Sequence, residues 1–370
     1  MEMSPSFPLP CLAMVHGVGA KHQQPTATTL FSLAGARPLE VVALEEELKN
    51  KSLCPTPQGW MLVVQHRDAA GTTYLLDPRS SQRIDLPHLD IQQGLIQGGR
   101  DERAFGPARG SFWPGLCGPG SLNNMSGPVH ANRTEIRCLL AGDPTATPGC
   151  PVLLVEPVAT LVWHCRVGDG EWAKHDYDIG TLGDEHFVEK RVIAPIAACR
   201  GRFYFNAVPA ETRVLELARL GSGAPAFSSV ATEPAEADRF GRARVFMVGT
   251  DDDELYKVVL LHHGGSYDEA KVLKMDFSER RWRPVEDLGG RAFFVAPMYF
   301  GASCAPGGGR VRPDCIYSLV GVAKNTFRIF SVKDGTSEVR RLEEEEQPVP
   351  PETVGKSRPC WVLPTHPTLY

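Results

Sequence analysis

Two glycine-containing segments carry residues that can act on phosphate or acyl groups. Pro350–Ser357 ends in Gly-Lys-Ser, but proline stands where a phosphate-binding loop needs its first glycine. Gly301–Ala305 encloses Ser303 between small residues, as in a nucleophile elbow, a turn that leads from a strand into a helix. Here Gly307–Gly309 follow, which do not favour a helix. We therefore expect neither nucleotide binding nor a serine nucleophile.

The histidines, acids and cysteines do not form a metal-binding pattern. None of the eleven histidines has another histidine four residues later, and no two of the ten cysteines are separated by two residues. His262 and His263 are adjacent, so they would point to opposite faces of a strand near a turn. Asp251–Glu254 lacks the alternation and glycine of a calcium loop and indicates an exposed hairpin turn. We expect no metal and no cofactor, with reduced cysteines packed as small hydrophobic residues.

The composition favours an all-β fold. The 370 residues include 36 glycines and 31 prolines, about 18% of the chain against an average of about 12%. These residues are spread along the sequence, which indicates many turns between short elements. The net charge of −5 provides no electrostatic basis for nucleic-acid binding, and no apolar run approaches the length of a membrane span.

A unit of about 50 residues with four short strands recurs along the chain, which is typical of a propeller blade. The fourth strand carries its own signature twice: Trp172 precedes Asp178-Ile179-Gly180, and Trp282 precedes Asp287-Leu288-Gly289. Five units have predicted strand centres near 53, 62, 75 and 85; 138, 153, 162 and 173; 194, 204, 215 and 228; 246, 257, 273 and 283; and 294, 316, 328 and 339. The sequence therefore predicts a single six-bladed β-propeller of four-stranded blades over residues 10–364, with five or seven blades as alternatives.

The remaining unit has only three predicted strands at the N-terminal end, Leu12–Val15, Thr29–Leu33 and Leu39–Val42. The apolar run Cys360–Pro364 has no unit of its own. We predict that this run supplies the missing innermost strand, so that pairing of the N- and C-terminal strands closes the ring. Residues 1–9 and 365–370 are predicted to be disordered tails.

Residues 90–134 interrupt the repeat and are predicted to be a flexible insertion, because they are rich in Gly, Pro, Arg and Asn without periodicity. Disordered filler is the favoured interpretation. The alternative is a contact patch for a protein partner, built from residue types that are frequent in interfaces. Its candidate residues are Arg100, Arg103, Arg109, Phe112 and Trp113.

Propeller hydrolases place ionisable residues at the inner strands that surround the central channel. The predicted inner strands contain apolar residues and cysteines, for example Arg137-Cys138-Leu139, Val192-Ile193-Ala194 and Phe293-Phe294-Val295. Catalysis in the channel is therefore disfavoured, and we expect a protein that is not an enzyme.

Several segments in order resemble the KIB-type β-propeller of plant F-box-associated proteins, long described as a domain of unknown function. The segments are Gly59–Val64, Thr73–Pro78, Arg83–Pro87, Pro195–Phe205, Lys271–Phe277, Arg281–Pro297, Phe330–Thr336 and Cys360–Pro364. The insertion at 90–134 departs from the family pattern. Typical members carry an upstream F-box that docks a ubiquitin ligase, and their propeller holds the target. The resemblance thus implies a propeller fold and a protein-binding role.

The space before Leu12 is too short for the helical F-box, so we expect no direct contact with a ubiquitin-ligase adaptor. The first hypothesis is a non-enzymatic, monomeric protein-interaction module whose target is unknown. The alternatives are a propeller-type hydrolase and a degenerate family member that has kept no partner. Nucleic-acid and membrane partners are not expected. The N-terminus lacks a secretory signal, so we expect a cytoplasmic or nuclear protein, with an organelle as the less favoured alternative.

Overall fold

The computed structural model shows six sheets that form a ring around a central axis, and their strands pair antiparallel except for one parallel pair in the sixth sheet. It describes residues 9–18, 27–39, 44, 47–48, 51–65, 71–89, 136–156, 160–184, 187–208, 211–217, 223–231, 243–263, 266–297, 300–305, 311–323, 325–343 and 356–365. The predicted insertion at 90–134 lies outside these residues.

The first three blades, each given from the innermost to the outermost strand, have the following bounds. Blade 1 is β27 (Lys356–Val362), β1 (Cys11–Val18), β2 (Ala27–Ser32) and β3 (Pro38–Leu39); blade 2 is β4 (Lys51–Pro55), β5 (Met61–Gln65), β6 (Thr73–Leu76) and β7 (Arg83–Leu86); blade 3 is β8 (Arg137–Leu140), β9 (Pro151–Val155), β10 (Leu161–Arg166) and β11 (Ala173–Asp176).

A two-stranded hairpin, β12 (Thr181–Asp184) and β13 (Phe187–Lys190), precedes the other three blades. Blade 4 is β14 (Ile196–Cys199), β15 (Arg202–Val208), β16 (Glu211–Glu216) and β17 (Ala226–Ala231); blade 5 is β18 (Ala243–Gly249), β19 (Leu255–His263), β20 (Ser266–Asp276) and β21 (Arg281–Val285); blade 6 is β23 (Phe300–Cys304), β22 (Ala292–Ala296), β24 (Cys315–Ser318), β25 (Thr326–Ser331) and β26 (Ser337–Arg341). The predicted six-bladed propeller is confirmed.

The middle strands of each blade are apolar on both faces because each sheet packs against a blade on either side. In β9, Val152 and Leu154 face blade 2, whereas Leu153 and Val155 face blade 4. The buried residues form six clusters, one for each seam between neighbouring blades. Burial of one Leu or Val side chain contributes roughly 1.5–3 kcal/mol, so the seams supply most of the stabilisation.

Tryptophan side chains link neighbouring blades by hydrogen bonds as well as by packing. Trp172, just before β11, donates from Nε1 to the carbonyl of Pro87 in blade 2 at 2.9 Å. Trp282 in β21 donates to Oγ1 of Thr212 in blade 4 at 3.3 Å. These are the two tryptophans of the repeat signature, and each contacts the preceding blade. The repeated Trp signature therefore indicates a contact between neighbouring blades as well as a strand.

The ring closes through the chain ends, as predicted. Strand β27 pairs antiparallel with β1, with Leu12 opposite Trp361. The Trp361 side chain is fully buried, and its Nε1 donates to the carbonyl of Val295 in blade 6 at 3.0 Å. Its ring contacts Phe294 and Tyr317 edge to face. One side chain from the C-terminal strand thus joins the last blade to the first.

The prediction for the inner strand of blade 6 was wrong. The apolar run around Phe294 forms β22, which is the second strand and pairs in parallel with β24. The innermost strand is β23, which pairs antiparallel with β22. A Cβ at Gly301 would collide with the carbonyl oxygen of Met247 in β18. A strand with small residues can lie this close to its neighbour, whereas the bulky β22 sequence cannot.

Two other boundaries also differ from the prediction. The inner strand of blade 4 is Ile196–Cys199 and not the run centred on Ala194, which precedes it. The outer strand of blade 1 is Pro38–Leu39. Residues 40–42, which the prediction included, lie outside the described part of the chain.

Glu156 is a buried acid at the end of β9, only 5% exposed. Its Oε1 has no hydrogen-bond partner among the described residues. Burial raises the pKa of this carboxyl to about 7, against an opposing effect of Lys174. The folded protein therefore binds a proton near pH 6 that the unfolded chain releases.

In the part of the chain that the structure describes, no helix is long and apolar enough to cross a bilayer.

Deletion of residues 359–370 should destabilise the whole ring, because it removes Trp361 and most of the β1–β27 pairing. The substitution Trp361→Ala alone should cost about 3–5 kcal/mol of unfolding free energy. Urea denaturation followed by circular dichroism measures both. Removal of residues 366–370 leaves β27 intact and is the control. A 359–370 deletion that melts within a degree or two of the full chain would show that closure is unimportant.

Glu156→Gln should change the pH dependence of stability. Because the pKa of Glu156 is raised in the folded state, its contribution to stability is present below about pH 4.5 and is lost as the pH rises through about 7. At pH 8 the variant should be more stable than the parent by about 2–3 kcal/mol, and near pH 4.5 the two should be equal. Urea midpoints at both pH values measure this difference. Glu171→Gln, an exposed acid in the same blade, should behave like the parent; an equal gain at both pH values for Glu156→Gln would contradict the explanation.

Candidate functional site

The residues proposed from the sequence as a contact patch lie outside the described residues, so this patch stays a prediction. They are Arg100, Arg103, Arg109, Phe112 and Trp113.

A surface groove of about 440 Å³ lies where blade 5 meets blade 6. Four carboxylates and two cations line it together with small and apolar residues. The lining residues are Asp252, Glu254, Tyr256, Lys274, Val285, Glu286, Asp287, Leu288, Gly289 and Arg291. Asp251 and Asp253 lie beside it in the turn between β18 and β19. The excess of carboxylates makes this groove, termed the acidic groove below, the candidate binding site.

One wall of the acidic groove is the turn between β18 and β19. Thr250 holds both ends of this turn: its amide donates to the carbonyl of Glu254 at 3.0 Å, and its Oγ1 accepts from the Glu254 amide at 3.1 Å. Asp253 adopts φ 59°, a left-handed conformation that Asp tolerates. Its Oδ1 accepts from the amide of Arg200 in blade 4 at 2.9 Å. The turn is therefore fixed from within and from the neighbouring blade.

The other wall is the segment that leads from β21 to β22. Asp287 accepts from the Gly289 amide at 3.0 Å, and Gly289 has φ 65°. From blade 6, Oδ1 of Asp314 accepts from the amides of Leu288 and Gly290 at 2.8 and 3.0 Å. Leu288 is buried in the seam, so the carboxylates beside it face outward from an anchored backbone.

Ion pairs neutralise only part of the groove's negative charge. Arg291 contacts Asp251 at 2.6 Å and Asp252 at 3.0 Å. Lys274 pairs with Glu254. Glu286 and Asp287 are exposed and have no ion-pair partner among the described residues. The groove therefore keeps unpaired acids at its rim.

Tyr256 forms the floor of the acidic groove. Its hydroxyl donates to Oε2 of Glu254 at 2.6 Å. Burial, and then this hydrogen bond, raise the pKa of Tyr256 well above its ordinary range. The phenol is neutral at physiological pH and donates to Glu254, which suits binding of a cation better than acid–base chemistry.

The central channel is filled where the structure describes it. Phe300 of β23 reaches blade 3, on the opposite side of the ring, where the Arg137 guanidinium lies 5.9 Å from its ring centroid. Arg137 also donates to the carbonyl of Pro297. A cavity between Arg137, Ile193 and Phe300 is about 10 Å³, room for at most one water molecule. Among the described residues, this cavity therefore has no space for a substrate.

The described cysteine thiols, and the other described residue types that could bind a metal, lie in structural rather than metal-binding arrangements. None of the nine described cysteines forms a disulfide; seven are buried and two are partly buried. Burial raises the pKa of Cys150 to about 11, so this thiol is protonated at physiological pH. Among the described residues, no group of three or more His, Cys, Asp or Glu side chains is arranged to hold a metal ion.

Sequence reasoning identified only part of this site. Asp251–Glu254 was interpreted as an exposed hairpin turn, and the structure confirms the turn. The prediction from the sequence did not associate this turn with Glu286 and Asp287, which lie more than 30 residues later. The repeated Asp-(Ile/Leu)-Gly signature was the available signal, because its second copy forms the opposite wall.

Comparison with solved structures finds matches of low sequence identity and low TM-score. TolB from Acinetobacter baumannii is 10% identical, with a TM-score of 0.35, over 97% of this chain and 68% of its own. A quinonprotein alcohol dehydrogenase-like protein from Bacteroides thetaiotaomicron is 8% identical, with a TM-score of 0.36, over 92% and 62%. The Cps50 (Swd1) β-propeller domain from Myceliophteria thermophila is 9% identical, with a TM-score of 0.29, over 85% and 78%. These similarities are too distant to indicate a function.

None of the curated proteins matches the sequence. The sequence pattern of the KIB1-4 β-propeller family, however, matches residues 30–343, which include strands of all six blades. The match agrees with the six-bladed ring, the repeated Trp and Asp-x-Gly elements, and the resemblance noted from the sequence. The chain belongs to the KIB1-4 β-propeller family.

Proposed function

We propose that this chain is a non-enzymatic protein-interaction module that binds a basic segment of a partner protein in the acidic groove. The observation that carries the proposal is the groove's charge: four carboxylates and two cations line a depression of about 440 Å³ on an anchored backbone. Lys and Arg side chains of a partner would pair with Glu286 and Asp287 at the rim. Val285, which is partly exposed, provides apolar surface for their methylene groups.

The filled channel supports binding rather than catalysis. A propeller-type hydrolase, the alternative from a different class, would use ionisable residues at one channel mouth. The described cavity in the ring centre is about 10 Å³ and is lined mostly by apolar residues. The acids of the acidic groove lie outside the ring centre, on a seam between blades, where a protein segment can reach them.

The KIB-type propellers of F-box-associated proteins, which the sequence resembles, hold the target of a ubiquitin ligase. In the proposed function this propeller does the corresponding task of target binding. The target is recognised by cationic residues, and no cofactor takes part. The proposal does not depend on an F-box, because the groove lies entirely within blades 5 and 6.

The charge-reversed variant Glu286→Lys/Asp287→Lys should lose binding to cationic peptides. A phage-displayed library of random dodecapeptides, selected on the purified full chain, should yield Lys- and Arg-rich sequences. Fluorescence anisotropy with the selected peptides should show at least tenfold weaker binding to the variant, because two attractive pairs become repulsive.

The matched control is Asp85→Lys/Glu171→Lys, which changes the net charge equally at exposed positions of blades 2 and 3. It should bind the selected peptides within about twofold of the parent. Selected peptides without cationic enrichment, or peptides that bind both double variants equally, would refute the assignment of the groove. Proximity labelling in the native cell would then name the partner and its compartment.

A further inference from the structure

A second polar cluster lies in the same seam at the opposite end of β18. Arg244 is the second residue of β18, and Asp251 follows its last residue. A strand of seven residues spans about 20 Å, so the two sites lie at opposite ends of the seam. Arg328 reaches the same end from β25 in blade 6, where its Nη2 donates to Oγ of Ser266 at 2.9 Å. Neither arginine forms an ion pair with a carboxylate in the described part of the chain.

The Arg244 guanidinium is held in place by stacking. It lies 5.8 Å from the ring centroid of Tyr267. The Tyr267 ring also contacts His262 edge to face, at 5.1 Å and 75°. Gly321 of blade 6, at φ 64°, lies directly under this ring, and a Cβ there would collide with it. The aromatic ring is thus packed between two blades and orients the charged groups around it.

Two nitrogens in this cluster are buried without a partner. Nε of Arg328 and Nδ1 of His262 make no hydrogen bond with any described residue. A buried polar atom left unpaired is unfavourable, so a ligand that hydrogen-bonds to these nitrogens recovers that loss. The cluster therefore combines two guanidiniums that have no ion-pair partner among the described residues with buried, unused hydrogen-bonding capacity.

Asp268 and Glu269 are the nearby acids, and neither forms an ion pair with Arg244 or Arg328 among the described residues. Asp268 is exposed and pairs with Nδ1 of His263 at 2.9 Å. This hydrogen bond is the first cause of the lowered pKa of Asp268, which keeps it ionised. Glu269 pairs with Lys271 at 3.7 Å. The charge of Arg328 also lowers the pKa of Asp268, so this acid offsets part of the charge of Arg328 without forming an ion pair with it. Both guanidiniums can therefore still bind an anion from outside.

We infer that Arg244, Arg328, His262 and Ser266 bind the phosphoryl group of a phosphorylated side chain on a partner protein. Two guanidiniums carry a charge of +2, and a phosphate monoester carries about −1.5 to −2 at pH 7, whereas a carboxylate carries only −1. Guanidinium groups bind phosphate oxygens in pairs, which a stacked, fixed orientation favours. This site shares no residue with the acidic groove, so the test of this inference does not depend on the proposed function.

The test uses the full chain and a degenerate peptide library with one fixed phosphoserine and a fluorescein label. Fluorescence anisotropy should show binding of the phosphoserine library, and at least tenfold weaker binding of the matched serine and aspartate libraries. Arg244→Gln/Arg328→Gln should weaken binding of the phosphoserine library at least tenfold. The single variant Arg244→Gln, whose side chain is partly exposed, should weaken it several-fold and covers the case in which the double variant does not fold.

The matched control is Arg340→Gln/Arg341→Gln, which removes the same charge from the exposed outer strand of blade 6. It should bind the phosphoserine library like the parent. Inorganic phosphate alone is the second arm and should compete with the peptide in the parent. Three results would each overturn the inference: equal binding of the phosphoserine and serine libraries, equal weakening by the control, or binding of inorganic phosphate without binding of the phosphopeptides.

Discussion

The pairing of β27 with β1 is the interaction on which the rest of the structure depends. Each blade is apolar on both faces and is stable only with a neighbour on each side. A ring with one missing contact would expose two apolar faces and two unpaired strand edges. Trp361 prevents this by contacting Phe294 and donating to Val295 in blade 6, while its own strand pairs in blade 1. Local strand order alone cannot make this fold, because its last contact joins residues about 350 positions apart.

The ring could be predicted from the sequence because the repeated residues are the ones that make contacts between neighbouring blades. Trp172 and Trp282 bond to the preceding blade, and the following Asp and Gly form turns, so similar physical demands produced similar residues. The inner strand of blade 6 was missed for the opposite reason. Gly301 and Ala302 are small because Met247 and the channel leave no room, and small residues resemble a loop when their neighbours are unknown.

Neither polar site could be assembled from the sequence alone. Asp251–Glu254 was visible as a turn, but its role depends on Glu286 and Asp287 across a seam. Arg244 and Arg328 are 84 positions apart and carry no motif. Such pairs arise from the angle at which two blades meet, which the periodicity of the strands does not specify. The same seam carries carboxylates at one end and guanidiniums at the other, so its two ends favour ligands of opposite charge.

The position of the chain ends has a geometric consequence. Leu9 and Pro364 flank the paired ends of β1 and β27, where Cys11 lies opposite Val362, and Pro364 lies against Gly59 in the turn between β4 and β5. That turn is equivalent to the β18–β19 turn of the acidic groove, so both lie on the same side of the disc. A polypeptide attached before residue 9 or after residue 365 would emerge on that side, in blade 1, one blade away from blade 6. A tethered domain and a protein held in the groove would therefore face each other across a short distance, and the length of the tether would set their effective concentration.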